Sequence, residues 1–262
     1  TEVSKDASAM ILADDNFATI EKAIEEGRGV YENIRKSVIF LLSSNLGELM
    51  TMFVAVAMGL ASPLKSSHIL WINLITDSLP ALALGVDKND SKSLMRCPPR
   101  KASESLFARG GIACTLFYGA LITVIGLAAF LVLPCGILAA EGELVGNPFT
   151  WVERLRELMS REQILAKSQT YAFTVLGMCQ LYHAIGMRDV QKSVFAMSPR
   201  DNLLMVAACI IGFILQFAVT EIPFLIRAFG TSHLSGQEWL LLSVLAAFPL
   251  FAHEVIVLFT KN

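Results

Sequence analysis

Apolar residues gather into six long runs along the chain, separated by shorter polar stretches. Each run is about 20 residues or longer, the length that a helix needs to cross the ~30 Å hydrocarbon core of a membrane. The runs lie at 37–60, 67–86, 110–135, 169–187, 202–226 and 239–260. We therefore predict an all-α membrane protein, with a bundle of six transmembrane helices in a membrane domain at 37–262.

A polar helical pattern precedes the first apolar run. Asp14-Asp15-Asn16 can cap a helix, and apolar residues then recur at helical spacing. A continuous helix from 17 to 60 would be on the order of 65 Å long at ~1.5 Å per residue, about twice a membrane. We therefore expect 17–36 to be a long cytosolic stalk helix. Before it, the short apolar run Ala9-Met10-Ile11-Leu12-Ala13 suits a buried strand.

Composition agrees with a membrane protein, and the charges predict its orientation. Hydrophobic residues make up 54% of the chain and the mean hydropathy is +0.57, whereas a soluble domain is about 45–50% apolar. With the N-terminus in the cytosol, most of the 21 Lys and Arg residues fall on the cytosolic side, as positively charged loops do. We expect a multi-pass protein with both termini in the cytosol. We expect the lipid bilayer as a partner and no nucleic acid.

Each of the first two runs carries one carboxylate in its interior, Glu48 and Asp77. A charge at the bilayer centre costs several kcal/mol, so such residues are functional by default. Asn45 lies three residues before Glu48 and shares its helix face. Asn73 lies four residues before Asp77, and Thr76 is adjacent to it. Carboxylate, amide and hydroxyl oxygens suit calcium, magnesium, manganese or sodium, and disfavour copper or zinc.

The backbone around these residues also suits a cation site. Pro80 cannot donate a hydrogen bond to the carbonyl of Thr76, so we expect unwound backbone that can coordinate a cation. Gly47 would let helix backbones approach closely. Gln180, in the fourth run, either turns toward the site or packs between helices. The simpler alternative is that the two carboxyl groups only bond to each other and hold the bundle together.

Five stretches resemble the P-type ATPases, and in particular the calcium pumps. Residues 5–17 resemble the end of the phosphorylation domain, and Glu25-Glu26-Gly27-Arg28 resembles the start of the stalk helix. Ser44-Asn45-Leu46-Gly47-Glu48 looks like the fifth membrane helix, and 71–81 looks like the sixth. Arg96-Cys97-Pro98-Pro99-Arg100 resembles the loop that follows. The likeness covers the whole chain, but beyond about residue 107 it lies in the arrangement of the helices more than in the identity of the residues.

The resemblance implies a fold and a set of ligands. The chain would supply helices five to ten of a ten-helix domain, and 1–16 would be a remnant of the phosphorylation domain. The implied calcium ligands are Asn45, Glu48, Asn73, Thr76 and Asp77. Sodium-potassium pumps typically have aspartate at the position of Asn73, which favours calcium, although manganese also accepts oxygen ligands. Two-ion calcium pumps carry a carboxylate on the eighth helix, whereas 175–180 has none and resembles the plasma-membrane type, which has glutamine there. This difference predicts one calcium per cycle.

The implied function is that of the C-terminal membrane part of an ATP-driven pump in the cell membrane, which exports calcium in exchange for protons. The Asp-Lys-Thr-Gly-Thr motif of the phosphoaspartate does not occur in the sequence. We therefore expect no ATP hydrolysis by this chain alone, with magnesium and ATP acting in the full-length pump. The implied partner is the N-terminal part of the pump, with helices one to four and the cytosolic domains.

Two other classes of function use the same features. An ion channel or a secondary cation transporter could use the same midplane carboxylates, and a non-catalytic membrane scaffold could have the same helices. A secondary transporter often consists of two related halves, and the sequence shows no internal repeat. A scaffold has no use for amides that are spaced with the acids. These features favour the pump.

Overall fold

The computed structural model describes residues 1–13, 16–101, 103–142 and 148–260, and within these ranges it contains helices and no strand. The helices are α1 (Glu2–Ala7), α2 (Phe17–Ala57), α3 (Ser66–Trp71), α4 (Ser78–Gly85), α5 (Ser91–Arg96), α6 (Gly111–Ala140), α7 (Pro148–Met159), α8 (Glu162–Met187), α9 (Leu203–Glu221), α10 (Pro223–Phe229), α11 (Gly236–Ala246) and α12 (Phe248–Thr260). A π-helical segment, Ile72–Asp77, joins α3 to α4 and is called the π segment below. Short 3-10 turns, Val194–Ala196 and Pro199–Asp201, lie between α8 and α9. The predicted all-α architecture is confirmed.

The long helix α2 is continuous over 41 residues, as the sequence predicts. The side chain of Asn16 caps it by accepting a hydrogen bond from the backbone N–H of Ala18 at 3.0 Å. Asp14 and Asp15, the other predicted capping residues, lie outside the described residues. At ~1.5 Å per residue α2 is on the order of 60 Å long, much longer than the hydrocarbon core requires.

The apolar run at 9–13 does not form the predicted strand. The chain has no regular structure there, and Met10 and Ile11 are each 57% exposed. A strand needs a neighbour for its backbone hydrogen bonds, and none of the described residues pairs with this run. The expectation of a buried strand is therefore wrong, and the origin of 1–16 in a phosphorylation domain remains a prediction.

Four helical stretches of the described chain are long and apolar enough to cross a membrane: Phe17–Ala57, Gly111–Ala140, Leu203–Glu221 and Gly236–Phe259. The other two predicted spans are not among these four. The span at 67–86 is helical without a gap from Ser66 to Gly85, but the π segment separates it into two short α-helices, α3 and α4. The span at 169–187 lies in α8, which is long enough but falls short in apolarity. The protein is therefore an integral membrane protein, and six membrane crossings remain a prediction.

Helix α8 runs through the middle of the helix bundle. Nearly all of its residues from Ser168 to Met187 are buried, and it packs against α2, α6, α9, α11, α12 and the π segment. Phe173, Leu176 and Cys179 of this helix are fully buried in the core. A helix that is surrounded by protein needs no apolar face toward lipid. Its central position therefore accounts for its lower apolarity.

The polar loop at 87–109 binds the N-terminal half of α2. Arg28 donates to two carbonyl oxygens of this segment at 2.8 Å each, and Arg35 donates to three others at 2.8 to 3.3 Å. Glu32 forms ion pairs with Arg35 and Arg100 at 3.0 and 2.9 Å. A movement of this half of α2 would therefore carry the loop with it.

A buried ion pair joins four elements just beyond the end of α4. Arg188 contacts the carboxylate of Asp87 with Nη2 and Oδ1 3.1 Å apart, and the two side chains are 10% and 3% exposed. Asn202, which caps α9, donates to the same carboxylate at 2.9 Å. Asn33 of α2 donates to the backbone carbonyl of Asp87 at 2.8 Å. Breaking a buried pair costs about 3–5 kcal/mol, so the ends of α4 and α8 and the start of α9 are held together. The bond from Asn33 attaches the stalk half of α2 to them.

Helices α2 and α6 approach closely where each carries a glycine. A Cβ atom on Gly47 would lie 2.5 Å from Cγ2 of Ile122, and one on Gly119 would lie 2.7 Å from Cδ2 of Leu46. Real side chains do not tolerate such separations, so both positions require glycine at this helix distance. The close approach that Gly47 predicts therefore occurs, with α6 as the partner helix.

We expect Gly47→Ala to lower the free energy of unfolding by about 1–3 kcal/mol, because the added methyl group overpacks the α2–α6 interface. The measurement is thermal unfolding of the detergent-solubilised protein. Gly136 of α6 has no atom within 4 Å of its Cβ position, so Gly136→Ala is the matched control and should be neutral or slightly stabilising. Equal melting temperatures for the two variants would contradict the packing at Gly47.

Candidate cation site

The helix at 66–85 is interrupted in its middle, where it widens into the π segment. Pro80 lacks the N–H group that would bond to the carbonyl of Thr76, and the hydroxyl of Ser78 donates to the carbonyl of Asn73 at 2.7 Å, five residues earlier. The sequence predicts unwound backbone here, and the structure keeps a helix. The physical reason is that π turns still satisfy most backbone groups internally, as hydrocarbon surroundings require.

The carboxyl group of Asp77 lies at the end of the π segment and is buried inside the bundle. The residue is 1% exposed, and among the described residues neither carboxylate oxygen has a hydrogen-bond partner. Glu48 of α2 is near enough to interact with it electrostatically. Two buried polar atoms without protein partners mark a place for water or an ion.

Glu48 is 4% exposed and is held by Gln180 of α8. Nε2 of Gln180 donates to Oε1 of Glu48 at 3.1 Å, and Oε1 of Gln180 in turn accepts a hydrogen bond from the hydroxyl of Ser44. Gln180 itself is fully buried. Gln180 thus turns toward the carboxylate and also bridges α8 to α2, and its part in a cation site remains a prediction.

The structure adds Gln216 of α9, which sequence reasoning missed. This residue is fully buried, and its Oε1 accepts a hydrogen bond from the indole Nε1 of Trp71 at 3.3 Å. Its Nε2 has no partner among the described residues. A Cβ atom on Gly177 would lie 2.9 Å from Oε1 of Gln216 and 3.6 Å from Cγ2 of Thr76, so α8 brings these two side chains to one place. The only signal in the sequence is a glutamine within the apolar run at 202–226.

The two predicted asparagine ligands lie at the edge of this site. Asn45 is exposed and Asn73 is half-buried. Their amide groups donate to the carbonyls of Leu41 and Ile69, one turn earlier in each helix, at 2.7 and 3.0 Å. Each amide thus keeps its oxygen for another ligand. Four of the predicted residues, Glu48, Asp77, Thr76 and Gln180, are buried inside the bundle, whereas the two asparagines are not.

The ligand chemistry of the site is that of oxygen. The described residues contain no group of three His, Cys, Asp or Glu side chains that could hold a metal. A cation at the two carboxylates would therefore need amide, hydroxyl or carbonyl oxygens as well. Thr76 offers such an oxygen, because its hydroxyl donates to the carbonyl of Ile72 at 3.1 Å and retains its lone pairs.

The fold and the site define an all-α integral membrane protein with a buried carboxylate pair. The family described as "Cation transporting ATPase, C-terminus" matches residues 61–259, which is most of the chain. The chain belongs to this family.

Individual relatives are similar to the whole chain. Calcium-transporting ATPase 1 of Bacillus cereus is 41% identical over 262 residues, which cover 100% of this chain and 28% of the relative. The calcium-transporting ATPase of Bacillus subtilis is 37% identical over 251 residues, which cover 96% and 25%. The endoplasmic reticulum-type calcium-transporting ATPase 3 of Arabidopsis thaliana is 31% identical over 277 residues, which cover 100% and 26%. The chain spans about a quarter of the length of these relatives.

The predicted likeness to the C-terminal part of the calcium-transporting P-type ATPases is confirmed by these matches. The three named relatives are all calcium-transporting ATPases, and the family match lies at residues 61–259 of this chain.

Proposed function

We propose that the chain provides most of the calcium site of a pump, with Glu48 and Asp77 as its two charged ligands. The observation that carries the proposal is the burial of Asp77 without any described partner for its carboxylate oxygens. A buried carboxylate in this situation is costly, and a bound cation removes the cost. The names of the relatives favour calcium over manganese.

Uncharged oxygens would complete the site. Calcium takes 6–8 oxygen ligands, so two carboxylates do not suffice. The hydroxyl of Thr76 lies inside the bundle, and the amide oxygens of Asn45 and Asn73 remain available at its edge. Gln180 holds Glu48 in place through its amide nitrogen. The open side at the asparagines would face the N-terminal part of the full-length pump, which would supply the remaining ligands.

Transport would exchange calcium for protons. Two carboxylates in one buried site repel each other when the cation leaves, and protons would neutralise them. In the full-length pump, magnesium and ATP would drive this exchange through a phosphoaspartate. The phosphorylation motif does not occur in this sequence, so the chain by itself would hydrolyse no ATP.

Replacing either carboxylate should abolish transport. In the full-length pump reconstituted in vesicles, we expect Glu48→Gln and Asp77→Asn each to reduce ATP-driven calcium uptake by about tenfold or more, because one lost charge–charge interaction in a buried site is worth at least ~1.4 kcal/mol. The control is Glu254→Gln in α12, whose carboxylate accepts a hydrogen bond from the N–H of Val194 at 2.6 Å. Glutamine keeps that acceptor, so its uptake should stay normal. Normal uptake by both site variants would refute the site.

One calcium per cycle is the proposed stoichiometry. The residue of α8 that approaches Thr76 is Gly177, and Gln216 fills the space that a side chain there would need. Helix α8 therefore offers no carboxylate to a second ion at this level. The neighbours of Gly177 in α8 have no side-chain oxygen that could bind a hard cation. They are Val175, Leu176, Met178 and Cys179.

We expect one calcium ion to be transported for each ATP hydrolysed by the full-length pump. The measurement compares radioactive calcium uptake with phosphate release in the same sealed vesicles, with passive leak subtracted. A proton ionophore is the control for a limit set by proton accumulation. It should change the rate of calcium uptake and leave the ratio of calcium to phosphate unchanged. A ratio of two would overturn the proposal and leave the carboxylate site intact.

We propose that the termini lie in the cytosol and that the pump resides in the cell membrane. The binding of loop 87–109 to α2 places the basic residues of both on one side, which positive loops mark as cytosolic. Cys97 of this loop is an exposed free cysteine. A membrane-impermeant maleimide should label it only after cells are permeabilised.

The control for this labelling is a cysteine at the opposite end of the bundle. Glu141, just after α6, is exposed, so Glu141→Cys combined with Cys97→Ser should react in intact cells. Labelling of Cys97 in intact cells would reverse the proposed orientation.

A further inference from the structure

The π segment needs an explanation, because π-helical turns are rare and persist where their surroundings enforce them. Some support is internal, from the hydroxyl of Ser78 to Asn73 and from that of Thr76 to Ile72. Both bonds lie within the segment or beside it, so they cannot fix its rotation relative to the rest of the bundle. Side chains of neighbouring helices have to do so.

One such side chain reaches the segment from α9. Trp71 is the residue directly before the π segment, and its indole N–H donates to Oε1 of Gln216 at 3.3 Å. The far end of the segment lies near the same amide, because the Cβ position of Gly177 is 2.9 Å from Oε1 of Gln216 and 3.6 Å from Cγ2 of Thr76. Gln216 therefore bonds to Trp71 and lies near Thr76.

The spacing of these two residues matters for the helix type. They are five residues apart, and in a π-helix residues i and i+5 lie on one side of the axis, roughly 50° apart. In an α-helix the same two residues would lie roughly 140° apart, about 90° further around the axis. Gln216 can face both residues only while the segment stays π-helical.

We propose that Gln216 is a positioning residue that holds the π register and thereby aims Asp77 at Glu48. The inference rests on the proposed calcium site. If the bond from Trp71 is lost and the segment relaxes to an α-helix, Asp77 turns away from Glu48 by roughly 90°. Full burial of the amide strengthens the effect, because an α-helical segment would leave Oε1 of Gln216 without its donor.

The test uses the full-length pump in vesicles with calcium-dependent ATP hydrolysis as the readout. Gln216→Leu should raise the calcium concentration for half-maximal activity about fivefold, the equivalent of one hydrogen bond, with the maximal rate within about twofold of wild type. Gln169→Leu is the matched control, because its amide is also buried in the bundle but donates to the carbonyl of Ser62 at 2.9 Å. The control should leave the calcium dependence unchanged.

Two further variants separate a positioning role from a general effect on packing. Gln216→Glu keeps an acceptor for the indole and should restore most of the calcium affinity. Trp71→Phe removes the donor and should reproduce the affinity loss of Gln216→Leu, while the double variant should add little to either. Ultraviolet resonance Raman spectra of Trp71, compared between wild type and Gln216→Leu, should show the loss of the indole hydrogen bond.

Several results would overturn the inference. One is an unchanged calcium dependence in Gln216→Leu. Another is that Gln216→Leu and Gln169→Leu lose the same amount of maximal rate and of calcium affinity. A third is that the affinity losses of Gln216→Leu and Trp71→Phe add up in the double variant. If Gln216→Leu does not fold, Trp71→Phe tests the same bond from the other side. Glu48→Gln and Asp77→Asn are measured in parallel, because normal calcium uptake by both variants refutes the proposed site itself. If their uptake is lost and Gln216→Leu has no effect, only the positioning role is refuted.

Discussion

Hydrocarbon offers no partner to a carboxyl group, so the protein has to surround Asp77 with its own polar atoms or with a bound ion. This constraint accounts for several features at once. Helix α8 stands in the middle of the bundle and carries the polar side chain of Gln180 instead of an apolar surface. Helix α2 brings the buried Glu48 to Gln180. Gly47 lets α6 pack directly behind it.

The features of the structure that could be predicted from the sequence are those that depend on residues close together along the chain. Glu48 and Asp77 stand out because charged groups are rare within apolar runs, and no tertiary information is needed to notice them. The length of α2 follows from an uninterrupted helical pattern after the cap at Asn16. Gln180 was ambiguous, because glutamine in a membrane helix serves packing as readily as a site. In the structure its amide bonds to both Glu48 and Ser44 of α2, contacts that suit either role.

The parts that the sequence could not predict depend on neighbours that are distant in sequence. Asn45 and Glu48 are three residues apart, yet the 60° between them is enough to leave Asn45 exposed while Glu48 is buried. Gln216 enters the site across two other helices, and no spacing along the chain reveals that contact. The strand predicted at 9–13 failed because apolar residues favour a strand only where another strand can pair with it.

The stalk half of α2 is bonded to the chain just after α4. These bonds limit where the helix at 66–85 can deform. Asn33 holds the backbone at Asp87, and the buried pair with Arg188 extends the tie to α8. At the opposite end of the same helix, Nε2 of His68 bonds to the carbonyl of Phe229 at 3.0 Å, which fixes α3 to α10. With both ends held, a displacement of α2 would concentrate deformation in the π segment between them. The least regular turn of the helix also carries Asp77, so such a displacement of α2 would act on the carboxylate.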